Sequence, residues 1–130
     1  MLTYRSPTEF EQRFEGGIDS EDALARSAPG AYLYARGAAY RSVMSPERFL
    51  SLSASIDRHR VVPERINIPA LLIGSTTDQL VLPSQMMSLH DRYAGPSTLH
   101  LLPSLYGHDM FLKEAGKLSE LIAPFLRSTS

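Results

Sequence analysis

Apolar side chains recur at helical spacing in the first half of the chain and form short continuous runs in the second half. Over residues 31–43, and again over 45–57, large side chains return every three or four positions, which predicts two amphipathic helices. Ser6-Pro7 and Ser45-Pro46 are typical helix starts, because serine caps free backbone amides and proline fits the first helical position. We therefore expect a helical chain up to Asp57.

Two details complete this first half. Glu9 stands three positions after Ser6, where its carboxylate can reach back to the start of the helix, as in a capping box. Gly16-Gly17 interrupts the pattern, and the polar residues 18–27 predict a loop or a loosely held turn.

The pattern changes after Arg60, where an extended apolar run punctuated by prolines begins. Residues 70–74 are apolar on both faces, which predicts a buried strand of a parallel sheet that helices cover. Pro83 opens the next helix, and residues 98–102 read as a second strand. The unit is therefore strand, helix, strand.

The last segment has the spacing of one long helix starting near Met110, and Pro124 should bend or end it. We interpret the fold as α/β: residues 1–60 form a helical subdomain, and residues 61–130 form the last βαβα portion of a doubly wound sheet. Two parallel strands do not make a stable sheet by themselves, so we expect an incomplete fold with an unpaired strand edge at residue 70.

Composition narrows the classes of function. The 130 residues carry 13 Lys and Arg against 14 Asp and Glu, a net charge of -1, which does not favour nucleic acid or an anionic membrane as partner. No cysteine is present, so disulfides, thiolate metal sites and thiol catalysis are excluded. No apolar run reaches membrane-spanning length, and the four scattered histidines do not form a metal site. We expect a cytoplasmic protein.

Asp78 and His108 are the candidate catalytic residues. Each follows a predicted strand, where parallel α/β sheets place ligands and catalytic groups. Taken singly, Asp78 is explained by an Asx turn and His108 by a backbone-tied turn. Together, in this order and on successive strands, they match the acid and base of a Ser/His/Asp relay. The chain has no Gly-x-Ser-x-Gly motif, so the nucleophile is missing from it.

Several stretches of the chain resemble the homoserine O-acyltransferase family. The matching segments are Leu2-Thr3-Tyr4-Arg5-Ser6-Pro7, Ser45-Pro46-Glu47-Arg48-Phe49 with Ile56-Asp57-Arg58-His59, Ile68-Pro69 to Asp78, and Tyr106-Gly107-His108-Asp109-x-Phe111-Leu112. This likeness implies the carboxyl-terminal part of an α/β-hydrolase fold, with residues 1–60 as lid helices. The nucleophile elbow, the oxyanion hole and the first strands would then lie before Met1.

The resemblance also implies roles for individual residues. Asp78 would be the triad acid and His108 the general base. Asp109 would bind the amino group of the acceptor, although a helix-start cap is the competing explanation. Tyr4 would help to hold the substrate carboxylate, together with an arginine that falls outside this chain, so that Met1 would lie inside a helix.

By this resemblance, the function is acyl transfer from acyl-CoA, a co-substrate and not a bound cofactor, to the hydroxyl of homoserine in methionine-precursor synthesis. Acetyl and succinyl donors, and homoserine and serine acceptors, stay open. The resemblance further implies a homodimer through the lid helices. The chain alone should be inactive because it lacks the serine. The alternatives are a non-catalytic, self-associating fragment and an α/β-hydrolase esterase.

Overall fold

The computed structural model describes residues 4–14 and 28–129. The described residues fall into two compact units. One combines those of Met1–Arg13 with those of Val62–Ser130, and the other comprises those of Phe14–Val61. The loop predicted around Gly16-Gly17 and residues 18–27 lies outside the described residues.

The smaller unit is helical, as its periodicity predicts. Helix α2 is Ala28–Arg41 and helix α3 is Pro46–Arg58. Helix α2 therefore begins and ends slightly earlier than the apolar pattern indicates. Helix α3 starts at its predicted cap, because the Arg48 backbone amide donates to Ser45 Oγ at 3.2 Å. The side chains that give α3 its apolar face are nevertheless exposed: Phe49, Leu52 and Ile56.

The larger unit contains the sheet and, before it, the first helix of the chain. Its helices and strands in chain order are α1 (Pro7–Arg13), β1 (Ala70–Ser75), α4 (Pro83–Arg92), β2 (Ser97–Leu102), α5 (Met110–Lys113) and α6 (Ala115–Ser128). Short 3₁₀ turns occur at Pro63–Arg65 and Gly107–Asp109.

The two strands pair in parallel, so the expected strand, helix, strand unit is confirmed. Leu72 lies opposite Leu99, and Ser75 opposite Leu102, which places the carboxyl ends of both strands at one edge of the sheet. Helix α4 packs closely on this pair. A Cβ at Gly74 would lie 3.2 Å from Leu101 Cδ2 and 3.2 Å from Met86 Cγ, so glycine allows the close approach.

The prediction of a buried first strand is wrong for this chain. Residues 70–74 are only partly covered, and only Ser75 of β1 is buried. Across the described residues, Met110 and Pro63 are the only residues with apolar side chains beyond Cα that are buried. The reason is that the sheet of the described residues has two strands, and the α4 side alone cannot enclose a strand that is apolar on both faces.

The prediction of one continuous final helix is also wrong. Glu114 lies outside helical geometry, at φ −120° and ψ 44°, and separates α5 from α6. Apolar spacing could not reveal this break, because α5 and α6 still present apolar residues at compatible intervals. Helix α6 continues through Pro124 to Ser128, so the proline does not end it. None of the helices in the described segments is long and apolar enough to cross a membrane.

Candidate active site

Asp78 is fixed by the turn that follows β1. Its Oδ1 accepts hydrogen bonds from the backbone amides of Leu80 at 2.8 Å and Val81 at 3.0 Å. This is the Asx turn that explains Asp78 taken singly. It uses one carboxylate oxygen only, and Oδ2 remains for another partner. The turn and the catalytic interpretation are therefore compatible.

His108 supplies that partner. Its Nδ1 lies 2.8 Å from Asp78 Oδ2, which joins residues 30 positions apart in the chain. An ionised carboxylate can only accept, so the bond requires a proton on Nδ1 and leaves Nε2 to act on another group. The Asp78 side chain is 8% exposed and that of His108 is 28% exposed. The pair is thus sheltered on the acid side and open on the base side.

The electrostatic balance at Asp78 favours the ionised form. Burial raises the pKa of this carboxyl, but hydrogen bonds from Val81, His108 and Leu80, together with the charge of the imidazole, outweigh burial and lower the pKa below its ordinary value. Asp78 is therefore an acceptor at neutral pH, which is the state that a triad acid requires.

A tight backbone loop brings His108 into place. Gly107 has φ 57°, in the left-handed region that side chains with a Cβ rarely adopt. A Cβ at this position would also lie 3.0 Å from Ser6 N and 3.1 Å from Tyr4 O. Glycine therefore serves both the turn and the close approach of the segment before α1.

Hydroxyl groups tie the two catalytic loops together. Thr77 Oγ1 donates to the Ser104 carbonyl at 2.5 Å and lies 3.0 Å from Ser75 Oγ. Ser104 Oγ in turn accepts from the Tyr106 amide at 3.1 Å. Sequence reasoning did not single out these residues. The available signal was Thr76-Thr77 directly after β1 and Ser104 two residues after β2, since such residues are typical of side-chain-stabilised turns.

Tyr4 lies against the imidazole of His108. The Tyr4 and His108 ring centroids are 5.3 Å apart, with an angle of 72° between the ring planes. The Phe111 ring also contacts the imidazole of His108, with centroids 5.9 Å apart and planes at 81°. Edge-to-face aromatic contacts of this kind are favourable and restrict the orientation of a ring. Tyr4 is 45% exposed, so part of its side chain is accessible to other molecules.

The helix-start cap weighed for Asp109 does not form, and its carboxylate has a cation as partner. Asp109 precedes α5 but makes no side-chain capping hydrogen bond. Instead, its Oδ2 pairs with Arg5 Nε at 2.7 Å. Glu9, expected to reach back to its own helix start, likewise pairs with arginines: Oε1 accepts from Arg5 Nη1 at 3.2 Å and from Arg13 Nη2 at 2.5 Å. Ser6 fulfils its predicted capping role by accepting from the Glu9 amide at 3.2 Å.

A cavity of about 200 Å³ adjoins the pair. Asp78 and His108 line it, together with apolar side chains that include Val81, Met86 and Phe111. The arrangement offers an imidazole nitrogen, backed by an ionised acid, beside a partly apolar space. Its chemical capacity is proton transfer to and from a hydroxyl group placed there.

Comparison with known proteins gives relatives over almost the whole chain, and no family model matches it. The chain is 35% identical over 129 residues to the homoserine O-succinyltransferase of Xanthomonas campestris pv. campestris, covering 99% of this chain and 35% of that protein. It is 30% identical over 138 residues to the homoserine O-acetyltransferase of Trichormus variabilis, and this match covers 100% of this chain and 38% of that protein. For the homoserine O-acetyltransferase of Mycobacterium marinum the identity is 31% over 139 residues, and the match covers 97% of this chain and 36% of that protein.

The chain thus spans little more than a third of the length of these curated relatives. The resemblance to homoserine O-acyltransferases that the sequence motifs indicated is confirmed.

Proposed function

We propose that this chain, a relative of the homoserine O-acyltransferases, supplies the acid, the base and acceptor contacts of an acyl-CoA-dependent homoserine O-acyltransferase. The observation that carries the proposal is the hydrogen bond of 2.8 Å between His108 Nδ1 and Asp78 Oδ2, with Oδ1 already held by two backbone amides. The serine that this pair would activate lies outside these 130 residues. The product would be a methionine precursor.

In the proposed reaction, the His108–Asp78 pair carries the proton transfers. His108 Nε2 accepts the proton of the serine hydroxyl as its oxygen attacks the thioester carbonyl, and this proton leaves with the CoA thiolate as free thiol. In the second half, Nε2 accepts the proton of the homoserine hydroxyl, which attacks the acyl-serine ester, and returns it to the departing serine oxygen. Asp78 stays ionised throughout and stabilises the imidazolium that forms in each half.

Two further residues support an amino-acid acceptor. Asp109 engages Arg5 through Oδ2 only, and its side chain is 18% exposed, so Oδ1 can accept from an ammonium group. Tyr4 presents a partly exposed phenol beside the base. We propose that Asp109 binds the amino group of the acceptor and that Tyr4 helps to hold its carboxylate.

We also propose that the sheet is the end of an α/β-hydrolase core. Ala70 N donates to Pro96 O, and the amide of Thr76, directly after β1, donates to Leu102 O, so the even-numbered amides along β1 face β2. Because successive amides of a strand alternate, those of Leu71, Ile73 and Ser75 face the other edge. No described strand pairs with that edge. A further parallel strand would complete it. Since α1 groups with the sheet unit, the lid within residues 1–60 would be α2 and α3, with residues 61–130 as core.

The proposal is tested on the polypeptide encoded in frame with this chain, including any coding sequence upstream of Met1. Homoserine with acetyl-CoA or succinyl-CoA should give thiol release, and His108→Gln or Asp78→Asn should lower kcat by about 10³-fold or more. His59→Gln, which removes a histidine outside the site, is the matched control. Unchanged kcat in the His108 variant would sink the proposal.

One alternative is favoured by a specific observation. The exposed apolar face of α3 suits a non-catalytic module that associates with itself. A stop codon upstream of Met1 before any nucleophile elbow, with no acyl transfer by the chain in a mixture with candidate partners, would move this reading to first place.

A further inference from the structure

The carboxylate next to the proposed base is held by a cation from a distant part of the chain. Asp109 directly follows His108, yet its Oδ2 pairs with Arg5 Nε at 2.7 Å. No hydrogen bond joins Asp109 to the imidazole in the part of the chain that the structure describes. The two side chains are only 16% and 18% exposed, so water screens this pair less than a surface pair.

Arg5 is itself fixed from two sides. Its Nη1 contacts Glu9 Oε1 at 3.2 Å, and Glu9 is buried at 7% exposure. The adjacent Ser6 hydroxyl donates to the Leu105 carbonyl, which docks this segment on the loop that carries the base. Arg13 Nη2 also contacts Glu9 Oε1, at 2.5 Å, so two guanidinium groups share this carboxylate oxygen.

The polar and charged groups around the imidazole come from three segments of the chain. Asp78 approaches from the loop after β1, Tyr4 and Arg5 from the segment before α1, and Asp109 from the same turn as His108. A second, unpaired carboxylate near an imidazole stabilises its protonated form, which cannot act as a base. Pairing Asp109 with a guanidinium removes that effect.

We propose that Arg5 is a positioning residue of the site: it holds and neutralises the Asp109 carboxylate, so that Asp78 is the one carboxylate that engages the His108 ring. The inference rests on the proposed function in taking His108 as the base. It adds a residue that acts through Asp109 without touching the reacting atoms.

The test uses the 130-residue chain and long-range ¹H–¹⁵N spectra of the imidazole ring, which distinguish both neutral tautomers from the imidazolium. At one fixed pH near neutrality, Arg5→Gln should raise the imidazolium fraction of His108 by about threefold to tenfold over wild type. Arg5→Lys, which keeps the charge, should stay close to wild type. The double variant Arg5→Gln/Asp109→Asn should return to the wild-type fraction, which a purely structural role would not produce.

An unchanged fraction in Arg5→Gln, in a protein whose Thr76 amide remains protected, overturns the inference. Asp78→Asn separates this from failure of the proposed function. If it alters the ring spectrum while Arg5→Gln does not, only the role of Arg5 fails; if neither alters it, the Asp78–His108 pair fails as well.

If Arg5→Gln does not fold, the variant Asp109→Asn, with Arg5 intact, tests the role of Arg5 instead. The imidazolium fraction should then fall, and the Arg5 Nε–H resonance should lose its hydrogen-bonded shift. A wild-type Arg5 Nε–H resonance in Asp109→Asn contradicts the proposal.

Discussion

At the scale of single residues, Asp78 combines a structural and a chemical role because its two oxygens have separate partners. Oδ1 closes the turn after β1 and Oδ2 orients the imidazole. A carboxylate that serves only a turn would tolerate asparagine, which keeps one acceptor oxygen. Replacing Oδ2 by an amide donor instead confronts His108 Nδ1 with a second donor and favours the wrong tautomer.

The lowered pKa of Asp78 makes this residue a source of pH-dependent stability. Because the folded state holds the proton more weakly than the unfolded state, the stabilisation is present above the ordinary value of 3.8 and is lost as pH falls towards the lowered value. Asp78→Asn should reduce the free energy of unfolding by about 1–3 kcal/mol at neutral pH. The difference from wild type should shrink on acidification, as urea titrations at several pH values would show.

Asp91→Asn is the matched control, since this residue lies on the exposed side of α4. It should leave the free energy of unfolding at neutral pH close to the wild-type value. Equal pH profiles for wild type and Asp78→Asn would contradict the account of the carboxylate given above.

At the scale of elements, the loop after β2 depends on one glycine. Gly107→Ala places a Cβ in the left-handed region and 3.0 Å from Ser6 N, so it should destabilise the sheet unit by about 1–3 kcal/mol. Gly116→Ala is the control: no atom lies within 4 Å of its added Cβ, and alanine favours α6, so stability should hold or rise. Hydrogen exchange at Thr76 N, which bonds to Leu102 O, measures both. Similar exchange in the two variants would refute the distinction.

Helix α1 should dock on the sheet unit through one hydroxyl. Ser6 Oγ donates to Leu105 O and accepts from the Glu9 amide, so Ser6→Ala removes a tether and a cap together. The expected loss is about 1–2 kcal/mol, with faster amide exchange at Phe10, whose amide bonds to Ser6 O. Ser45→Ala, a cap on α3 without such a tether, should leave exchange at Phe10 unchanged. Slow exchange at Phe10 in the Ser6 variant would show that the hydroxyl does not secure α1.

At the scale of the whole molecule, the proposed catalysis needs a serine nucleophile, and no Gly-x-Ser-x-Gly motif occurs in these 130 residues. We therefore expect the pure 130-residue protein to show no acyl transfer from acetyl-CoA or succinyl-CoA. A thiol-release assay with homoserine measures this. Turnover by the pure chain that disappears in His108→Gln would contradict the prediction.

The homodimer that the resemblance implies through residues 1–60 stays a prediction at this scale. Ile56 of α3 is 72% exposed and is available for such a contact. Ile56→Glu should shift sedimentation towards a monomer, with a dissociation constant raised about tenfold or more, because it places a charge in an apolar interface. Leu126→Glu, at a position of α6 that is 57% exposed, is the control. Equal dissociation constants for Ile56→Glu and wild type would exclude α3 from the interface.

Local features of the fold were predictable because each rests on short-range chemistry. The starts of α1, α3 and α4 follow from proline at the first helical position, with a serine cap at α1 and α3. The break at Glu114 was not predictable, because it interrupts the helical backbone without interrupting the apolar spacing. The partial exposure of β1 was not predictable either, since burial depends on neighbouring layers that no local pattern specifies.

The sequence by itself determined which residues could form an acid–base pair and which strands they follow. Their meeting was predictable because parallel neighbouring strands bring their carboxyl ends to one edge of the sheet. It also carried the resemblance to the acyltransferases. Only the tertiary structure decided the partners of the charged groups. That Asp109 pairs with Arg5, and that the Asx turn leaves Asp78 Oδ2 for His108, depends on contacts between residues far apart in the chain. Charge pairing over such separations is set by packing geometry, which local periodicity does not encode.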